Sequence, residues 1–336
     1  MRPGFYLKQS AELLRTLHKI WTEDKIFIAD LTSGFWKLSL QCLNRYLYWV
    51  KEILVSLQLK LKEISEPQST VISPSAQNGA IPPQTSTVAQ ENALILIVAA
   101  ILLDISALEE ILNLFFNESV SERLPLGFPD LPILKGEEQF LKIIKELNGS
   151  VMSEFQKQTS TLIVKRCCVA LDQVSVVVQR TGFSSNVPTA ASAYVSKILT
   201  PASEIFAQVD SRHAQLKNST SAGAKIVLKN WKLIVCEGVL SRYYGIAAQQ
   251  LEDVAKVDKY SRSRKKAVAV AVDGAMSAFE KIKLQMKMDV GQFKREMDSL
   301  FAAGINNDGN DGNGEKKETA AVVVVEGLEA LYALVL

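Results

Sequence analysis

The amino-acid sequence predicts an all-α fold, built as elongated helical bundles without a β-sheet. Apolar residues recur every three or four positions over several long segments, which is the spacing of one face of an α-helix. Of the 336 residues, 48% are hydrophobic, so the chain can bury a sizeable core. These two observations favour long helices that pack against one another.

The organising segment is residues 35–64, FWKLSLQCLNRYLYWVKEILVSLQLKLKEI. It contains no proline or glycine, and polar residues such as Lys37, Arg45 and Lys51 lie opposite its apolar stripe. As one helix it would extend about 45 Å. A helix of that length needs other helices to cover its apolar stripe.

Amphipathic patterns predict further helices on either side of this segment. In one of them the run Ser-Val-Val-Val, residues 175–178, could instead form a β-strand, but no partner strand follows, so we favour a helix. Pro188 is expected at the start of a helix, where proline is tolerated. At Thr200 and Pro201 either a kink or a fresh helix is expected. The expected helices cover residues 9–28, 93–116, 137–147, 151–179, 224–266 and 275–301.

Two segments without helical periodicity set the domain organisation. Residues 65–92 are rich in Pro, Ser, Thr and Gln, which predicts a disordered loop. Residues 304–336 are expected to form a low-complexity linker and a divergent tail. The predicted domains are therefore residues 1–64, which contain the long helix, and a helical bundle region over residues 93–303.

Composition narrows the function classes. The 38 Lys and Arg residues against 36 Asp and Glu leave a formal charge of +2, which argues against nucleic acid as a partner. The four cysteines form no CxxC pair, which favours a reducing, cytosolic compartment. The N-terminal residues lack a signal peptide's apolar core. The most apolar run, residues 93–103, is short for a membrane span.

The residue types needed for catalysis are sparse. His18 and His213 are the only histidines, and neither belongs to a zinc-type cluster or to a nucleophile–base pair. Neither of the common glycine-rich phosphate loops occurs. The sequence therefore predicts a protein that is not an enzyme and has no catalytic residues, no cofactor and no metal.

One basic cluster stands out near residue 260. Its cations fall at the predicted end of the helix over residues 224–266, where they complement the carbonyl end of the helix dipole. Alternatively, they contact anionic lipid headgroups or an acidic partner helix. The cluster consists of Lys256, Lys259, Arg262, Arg264, Lys265 and Lys266.

Three sequence blocks, in order, carry a family resemblance. The first, IWTEDKIFIADLTSGFWKLSLQCLNRYLYWV over residues 20–50, resembles the C-terminal region of subunit 2 of the conserved oligomeric Golgi complex. The second, VPTAASAYV over residues 187–195, is similar to that family's VPTTASSYV segment and follows Arg180 and Thr181. The third consists of Tyr243 and Tyr244 followed by EKIKLQMKMDV over residues 280–290, which is similar to the DKIRLQ-like text near the end of the family's sequences. The resemblance covers roughly residues 5–303.

This resemblance implies a helical-rod tether and a non-enzymatic role in vesicle tethering. The implied processes are intra-Golgi retrograde transport, Golgi organisation and the recycling of Golgi resident proteins. The implied partners are other subunits of the complex, in the lobe with subunits 1, 3 and 4, and, through the complex, SNAREs, Rab GTPases and coiled-coil tethers. The implied location is the cytosolic face of the Golgi membrane as a peripheral protein, with a cytosolic pool. Phe35, Trp36 and Tyr46 are expected in the core.

Four alternative interpretations of the sequence predict different observations. The family's N-terminal coiled-coil half has no counterpart in this sequence, so one alternative is a truncated or non-assembling scaffold fragment of the same family. A helical scaffold unrelated to Golgi traffic would not co-purify with the complex. A helical enzyme would require a polar cluster inside the bundle. A membrane anchor at residues 93–103 or 322–325 would resist salt and alkaline extraction.

Overall fold

A computed structural model describes residues 5–22, 31–65, 85–121, 133–215, 222–265, 276–302, 329–331 and 333. Within these ranges the regular structure is helical and no β-strand occurs, which confirms the all-α prediction. In the same ranges, two short π-helical segments, Phe116–Val120 and Leu147–Val151, and one 3-10 segment, Val169–Asp172, each follow directly on an α-helix. The helices are α1 (Lys8–Thr22), α2 (Thr32–Ser65), α3 (Thr85–Phe115), α4 (Ile133–Glu146), α5 (Met152–Cys168), α6 (Gln173–Phe183), α7 (Val195–Ile198), α8 (Thr200–Gln215), α9 (Ala222–Lys265) and α10 (Ala278–Ala302).

The two longest helices, α2 and α9, correspond to the two longest periodic segments of the sequence. In α2, Leu43 and Val50 are buried, whereas Lys37 and Lys60 point to solvent. The run Ser-Val-Val-Val lies within α6, so the helical interpretation is confirmed there. Helix α8 begins at Thr200, next to Pro201, so a fresh helix begins there and the alternative of a kink is excluded.

The predicted loop over residues 65–92 was too long at both ends. Ser65 is the last residue of α2, and α3 begins at Thr85. Residues 88–90 of α3 are exposed, which agrees with the lack of an apolar periodicity at these positions in the sequence. No proline or glycine lies between Pro83 and Phe115, so nothing interrupts the backbone ladder. The remainder of the predicted loop, residues 66–84, lies outside the described residues.

The prediction that Pro188 begins a helix was wrong. Residues 184–194 are irregular, and the next helix, the short α7, begins at Val195. Side chains of α10 bind this segment's backbone, as Lys281 Nζ donates to the carbonyl of Ser184 (2.9 Å) and Gln285 Nε2 to that of Ala190 (2.9 Å). Because tertiary hydrogen bonds replace helical ones, the segment needs no helix to satisfy its carbonyls.

The described residues form two compact units, one drawn from residues 1–159 and 211–228 and the other from residues 160–210 and 229–336. In the first unit, α1 packs on α2 and α3, and α2 packs on α4. In the second unit, α10 packs on α6 and α7. The predicted tail after residue 303 lies outside the described residues except for 329–331 and 333.

An aromatic cluster fills the core of the first unit. The Trp21 ring is fully buried and meets Trp36 edge-on, with 6.2 Å between ring centroids. Trp36 also packs against Phe116 (5.5 Å), which stacks on Phe140 (5.1 Å). The Trp21 indole N–H donates to Ser39 Oγ at 2.8 Å. Trp36 is thereby confirmed as a core residue, whereas Phe35 is only half-buried.

A buried carboxylate holds the start of α1 in the first unit. Asp104, on α3, accepts the backbone N–H groups of Tyr6 and Leu7, both at 2.8 Å. These donors precede α1, so the carboxylate caps the chain where helical bonds are missing. The hydroxyl groups of Ser10 and Tyr46 lie 3.0 Å apart beside it, and Tyr46 is buried as expected. Desolvation raises the pKa of Asp104 to about 6.

Candidate partner-binding surface

The described part of the chain offers little support for a catalytic centre. In these ranges no group of three or more His, Cys, Asp or Glu side chains could hold a metal ion. His18 packs edge-on against Phe115, and the His213 ring lies 3.3 Å from the Tyr6 hydroxyl. All four cysteines are free thiols. Burial raises the pKa of Cys167 to about 12, so this thiol is a poor nucleophile at neutral pH.

A buried hydrogen-bond network organises the second unit, and we call it the tyrosine–aspartate cluster: Ser192, Tyr194, Tyr243, Gln285 and Asp289. Asp289, on α10, accepts the backbone N–H of Ser192 (2.6 Å), the Tyr194 hydroxyl (3.1 Å) and the Gln285 amide (2.8 Å). The hydroxyls of Tyr194 and Tyr243 lie 2.9 Å apart. Because Tyr194 gives its proton to Asp289, Tyr243 donates to Tyr194.

The helix periodicity of α10 explains this arrangement. Gln285 and Asp289 are one turn apart on the same face, and both are buried. Desolvation raises the pKa of Asp289 and of both tyrosines, because each charged form would lose its hydration. The cluster therefore ties the irregular segment 184–194 to α9 and α10. It is a polar cluster inside the bundle, the feature that the helical-enzyme alternative requires, but its polar groups bond one another and fix the packing of this segment.

A surface groove lies beside the cluster, within the second unit. Its volume is about 810 Å³, and it is bounded by the end of α5, the 3-10 turn, α6, and residues 192–197. Tyr194 and Gln285 of the cluster form part of its wall. Its lining includes the cations Arg166, Arg180 and Lys197. The groove therefore combines a positive lining with a wall fixed by buried hydrogen bonds.

The basic cluster predicted near residue 260 lies at the end of α9. Lys256 pairs with Glu252 (2.7 Å) and Asp253 (3.9 Å) of its own helix. Lys259 is exposed. Arg262, Arg264 and Lys265 belong to the last turns of α9, while Lys266 lies outside the described residues.

No candidate membrane span occurs among the helices that the structure describes. The fold and these contacts define an all-α protein whose buried polar groups fix helices and a connecting segment in place. Its exposed groove and helix faces are surfaces suited to macromolecular contacts. This is the class of helical interaction proteins.

Comparison with known proteins places the chain within that class. The family model described as COG complex component, COG2, C-terminal matches residues 2–290, and the chain belongs to this family. It is 28% identical over 308 residues to conserved oligomeric Golgi complex subunit 2 of Homo sapiens. That match covers 85% of this chain and 39% of the human protein, so the chain spans well under half the length of its relative. No solved structure matches the chain.

Two of the three sequence blocks meet in space, which sequence reasoning did not predict. Tyr194 comes from the second block, and Tyr243, Gln285 and Asp289 come from the third. The signal in the sequence was the i, i+4 pair of polar residues Gln285 and Asp289 within the apolar face of a helix. The groove was also missed, because its cations lie on three separate helices whose packing the sequence does not reveal.

Proposed function

We propose that this chain is a non-enzymatic subunit of the Golgi vesicle-tethering complex. In this role it supports intra-Golgi retrograde transport, Golgi organisation and the recycling of Golgi resident proteins through protein–protein contacts. The family match over residues 2–290 carries the proposal. The cluster that joins two of the family's sequence blocks supports it, because this part of the chain keeps a defined packing.

The proposed partners are the other subunits of the conserved oligomeric Golgi complex, in the lobe with subunits 1, 3 and 4. SNAREs, Rab GTPases and coiled-coil tethers would be reached through the assembled complex. Exposed apolar side chains on α2 are suited to helix–helix contacts: Leu38, Tyr48, Val55 and Leu59. Contacts of this kind bury apolar side chains between helices and need no catalytic group.

The proposed location is the cytosolic face of the Golgi membrane, as a peripheral protein with a cytosolic pool. The basic cluster at the end of α9 is proposed to contact anionic headgroups or an acidic partner helix. Cations near an anionic surface contribute about 1 kcal/mol each. Changing Lys265 and Lys266 to Glu should weaken binding of the chain to anionic vesicles, and unchanged binding would remove the lipid contact.

Microscopy with extraction tests the location. A fluorescently tagged chain should overlap with a Golgi marker, and high salt or alkaline buffer should release it from membranes. The recycling role predicts that loss of the chain lowers the level of Golgi resident enzymes. A diffuse signal equal to that of the tag alone would contradict the location, and resistance to alkaline extraction would contradict peripheral attachment.

A further inference from the structure

We propose that the groove beside the tyrosine–aspartate cluster docks an acidic amphipathic segment of a partner protein. The groove lies wholly within the second unit, and its walls come from α5, the 3-10 turn, α6 and residues 192–197. This assignment goes beyond the tethering function, because it names a surface and the chemistry of its occupant. It does not depend on which complex the chain joins.

The positive charge of the groove lining favours an acidic occupant. Arg166, Arg180 and Lys197 lie on three different helices and converge on one concavity. No carboxylate is among the described residues that line it. Arg180 and Lys197 are exposed, and the described part of the chain gives neither of them an ion-pair partner. Cations along one exposed helix face are usually only solvated. Cations from three helices that line the same concavity can instead act together on one ligand.

The groove also offers apolar surface between its cations. Val169 is 66% exposed, and Ala170, Val177 and Ala193 add further apolar atoms to the lining. An arginine guanidinium binds carboxylates through two parallel hydrogen bonds, while a lysine acts as a point charge. A segment that alternates carboxylates with small apolar residues therefore matches both kinds of lining.

The shape favours a polypeptide over a membrane surface. A flat bilayer surface contacts cations that protrude from a protein. The cations here line a concavity of about 810 Å³, which also has valine and alanine in its lining. The cluster holds the wall at Ser192 and Tyr194 in place through Asp289 and Gln285. A wall that is already ordered loses little conformational entropy when an occupant binds.

Selection from a peptide library tests this site even though the partner is unidentified. The full chain is the bait for displayed random peptides of roughly 16 residues, which is enough for four helical turns. The variant R180E/K197E serves for comparison. A matched control, K287E/K294E, makes the same charge change at two exposed lysines of α10 outside the groove. Circular dichroism and melting curves check that each variant is folded.

The proposal expects enriched peptides that combine Asp or Glu with apolar residues. These should bind R180E/K197E at least about tenfold more weakly than the unchanged chain, because reversed rim charges repel an acidic ligand. They should bind K287E/K294E within about twofold of the unchanged chain. Peptides without acidic enrichment, or equal binding to R180E/K197E, would overturn the proposal. It would also be overturned if the only ligand sensitive to R180E/K197E were vesicles of phosphatidylcholine and phosphatidylserine.

Discussion

Tyr194 and Asp289 lie 95 residues apart in the chain, yet the Tyr194 hydroxyl donates a hydrogen bond of 3.1 Å to the Asp289 carboxylate. Both side chains are buried, so the bond replaces hydration that each group loses on folding. Through Ser192 and Tyr243 the same network reaches the irregular segment and α9. The second unit is therefore held by a specific polar contact in addition to apolar packing.

Removing one hydroxyl group from the tyrosine–aspartate cluster should measurably lower the stability of the protein. Tyr243→Phe deletes the donor to Tyr194, and we expect the free energy of unfolding to fall by about 1 kcal/mol. Urea denaturation followed by circular dichroism measures this change. Tyr244→Phe is the control, because the Tyr244 side chain is 39% exposed and should cost less than about 0.5 kcal/mol. Equal effects of the two substitutions would refute the role of the network.

Two glycines of α9 should respond in opposite directions to the same change. A Cβ added at Gly238 would lie 2.7 Å from Val164 Cγ2, whereas nothing lies within 4 Å of a Cβ at Gly245. Val164 is β-branched and cannot move aside cheaply, so overpacking should cost about 1–3 kcal/mol and outweigh the helix propensity of alanine. Gly238→Ala should therefore lower the melting temperature.

Gly245→Ala should instead stabilise the protein by up to about 1 kcal/mol, since alanine favours a helix interior more than glycine does. Differential scanning calorimetry of both variants gives the comparison. If Gly238→Ala melted at or above the temperature of the unchanged chain, the close approach of α9 and Val164 would be wrong.

Stability should depend on pH through Asp104. The folded pKa is about 6, above the unfolded value of about 3.9, so between these values the folded state binds a proton that the unfolded state lacks. The contribution of this group to stability therefore rises as pH falls from about 7 to about 4, by up to about 3 kcal/mol. Raised pKa values at buried Asp289 act in the same direction.

Denaturation at about pH 7 and about pH 5 tests the sign of this effect. Asp104→Asn should be less stable than the unchanged chain. It should also lose part of the difference in stability between the two pH values, because an amide does not titrate in this range. Glu109→Gln alters an exposed carboxylate on the same helix and should keep the profile of the unchanged chain. A profile for Asp104→Asn identical to that of the unchanged chain would contradict the assignment.

The ion pair of Lys232 and Asp210 should show an asymmetric response. Lys232 is buried, its Nζ lies 3.0 Å from Asp210 Oδ2, and its ammonium sits over the Phe206 ring. Asp210→Ala leaves a buried cation unpaired and should destabilise the protein by about 3 kcal/mol. Lys232→Met keeps the apolar stem, and the Asp210 carboxylate that it leaves unpaired is 31% exposed and can be hydrated, so stability should change by less than about 1 kcal/mol. Equal costs for the two variants in urea denaturation would contradict this.

The sequence predicted the long helices well because each buries a continuous apolar stripe. The stripe of residues 35–64 became α2 with its ends displaced by one to three residues. Pro188 was misassigned because the bonds that hold residues 184–194 come from α10, far away in sequence. Local patterns cannot reveal such donors. The start of α3 was missed because residues 88–90 are exposed and carry no apolar stripe.

The candidate site was less predictable than the fold. Arg180 drew attention only as part of a sequence block, and Arg166 and Lys197 had no distinguishing neighbours. Their convergence depends on the path of the chain through residues 184–194. Asp104 directly follows the apolar run of residues 93–103, but its partners Tyr6 and Leu7 lie almost a hundred residues away, so the sequence does not reveal the contact.

Affinity purification tests the central claim most directly, which is that this chain assembles into the Golgi tethering complex. A tagged chain is purified from cells under low salt, and mass spectrometry compares its partners with those of the tag alone. The claim predicts co-purification of the other subunits of the conserved oligomeric Golgi complex, led by the lobe of subunits 1, 3 and 4. Recovery of a folded chain without any of these subunits would contradict assembly and would identify it as a non-assembling scaffold of the same family.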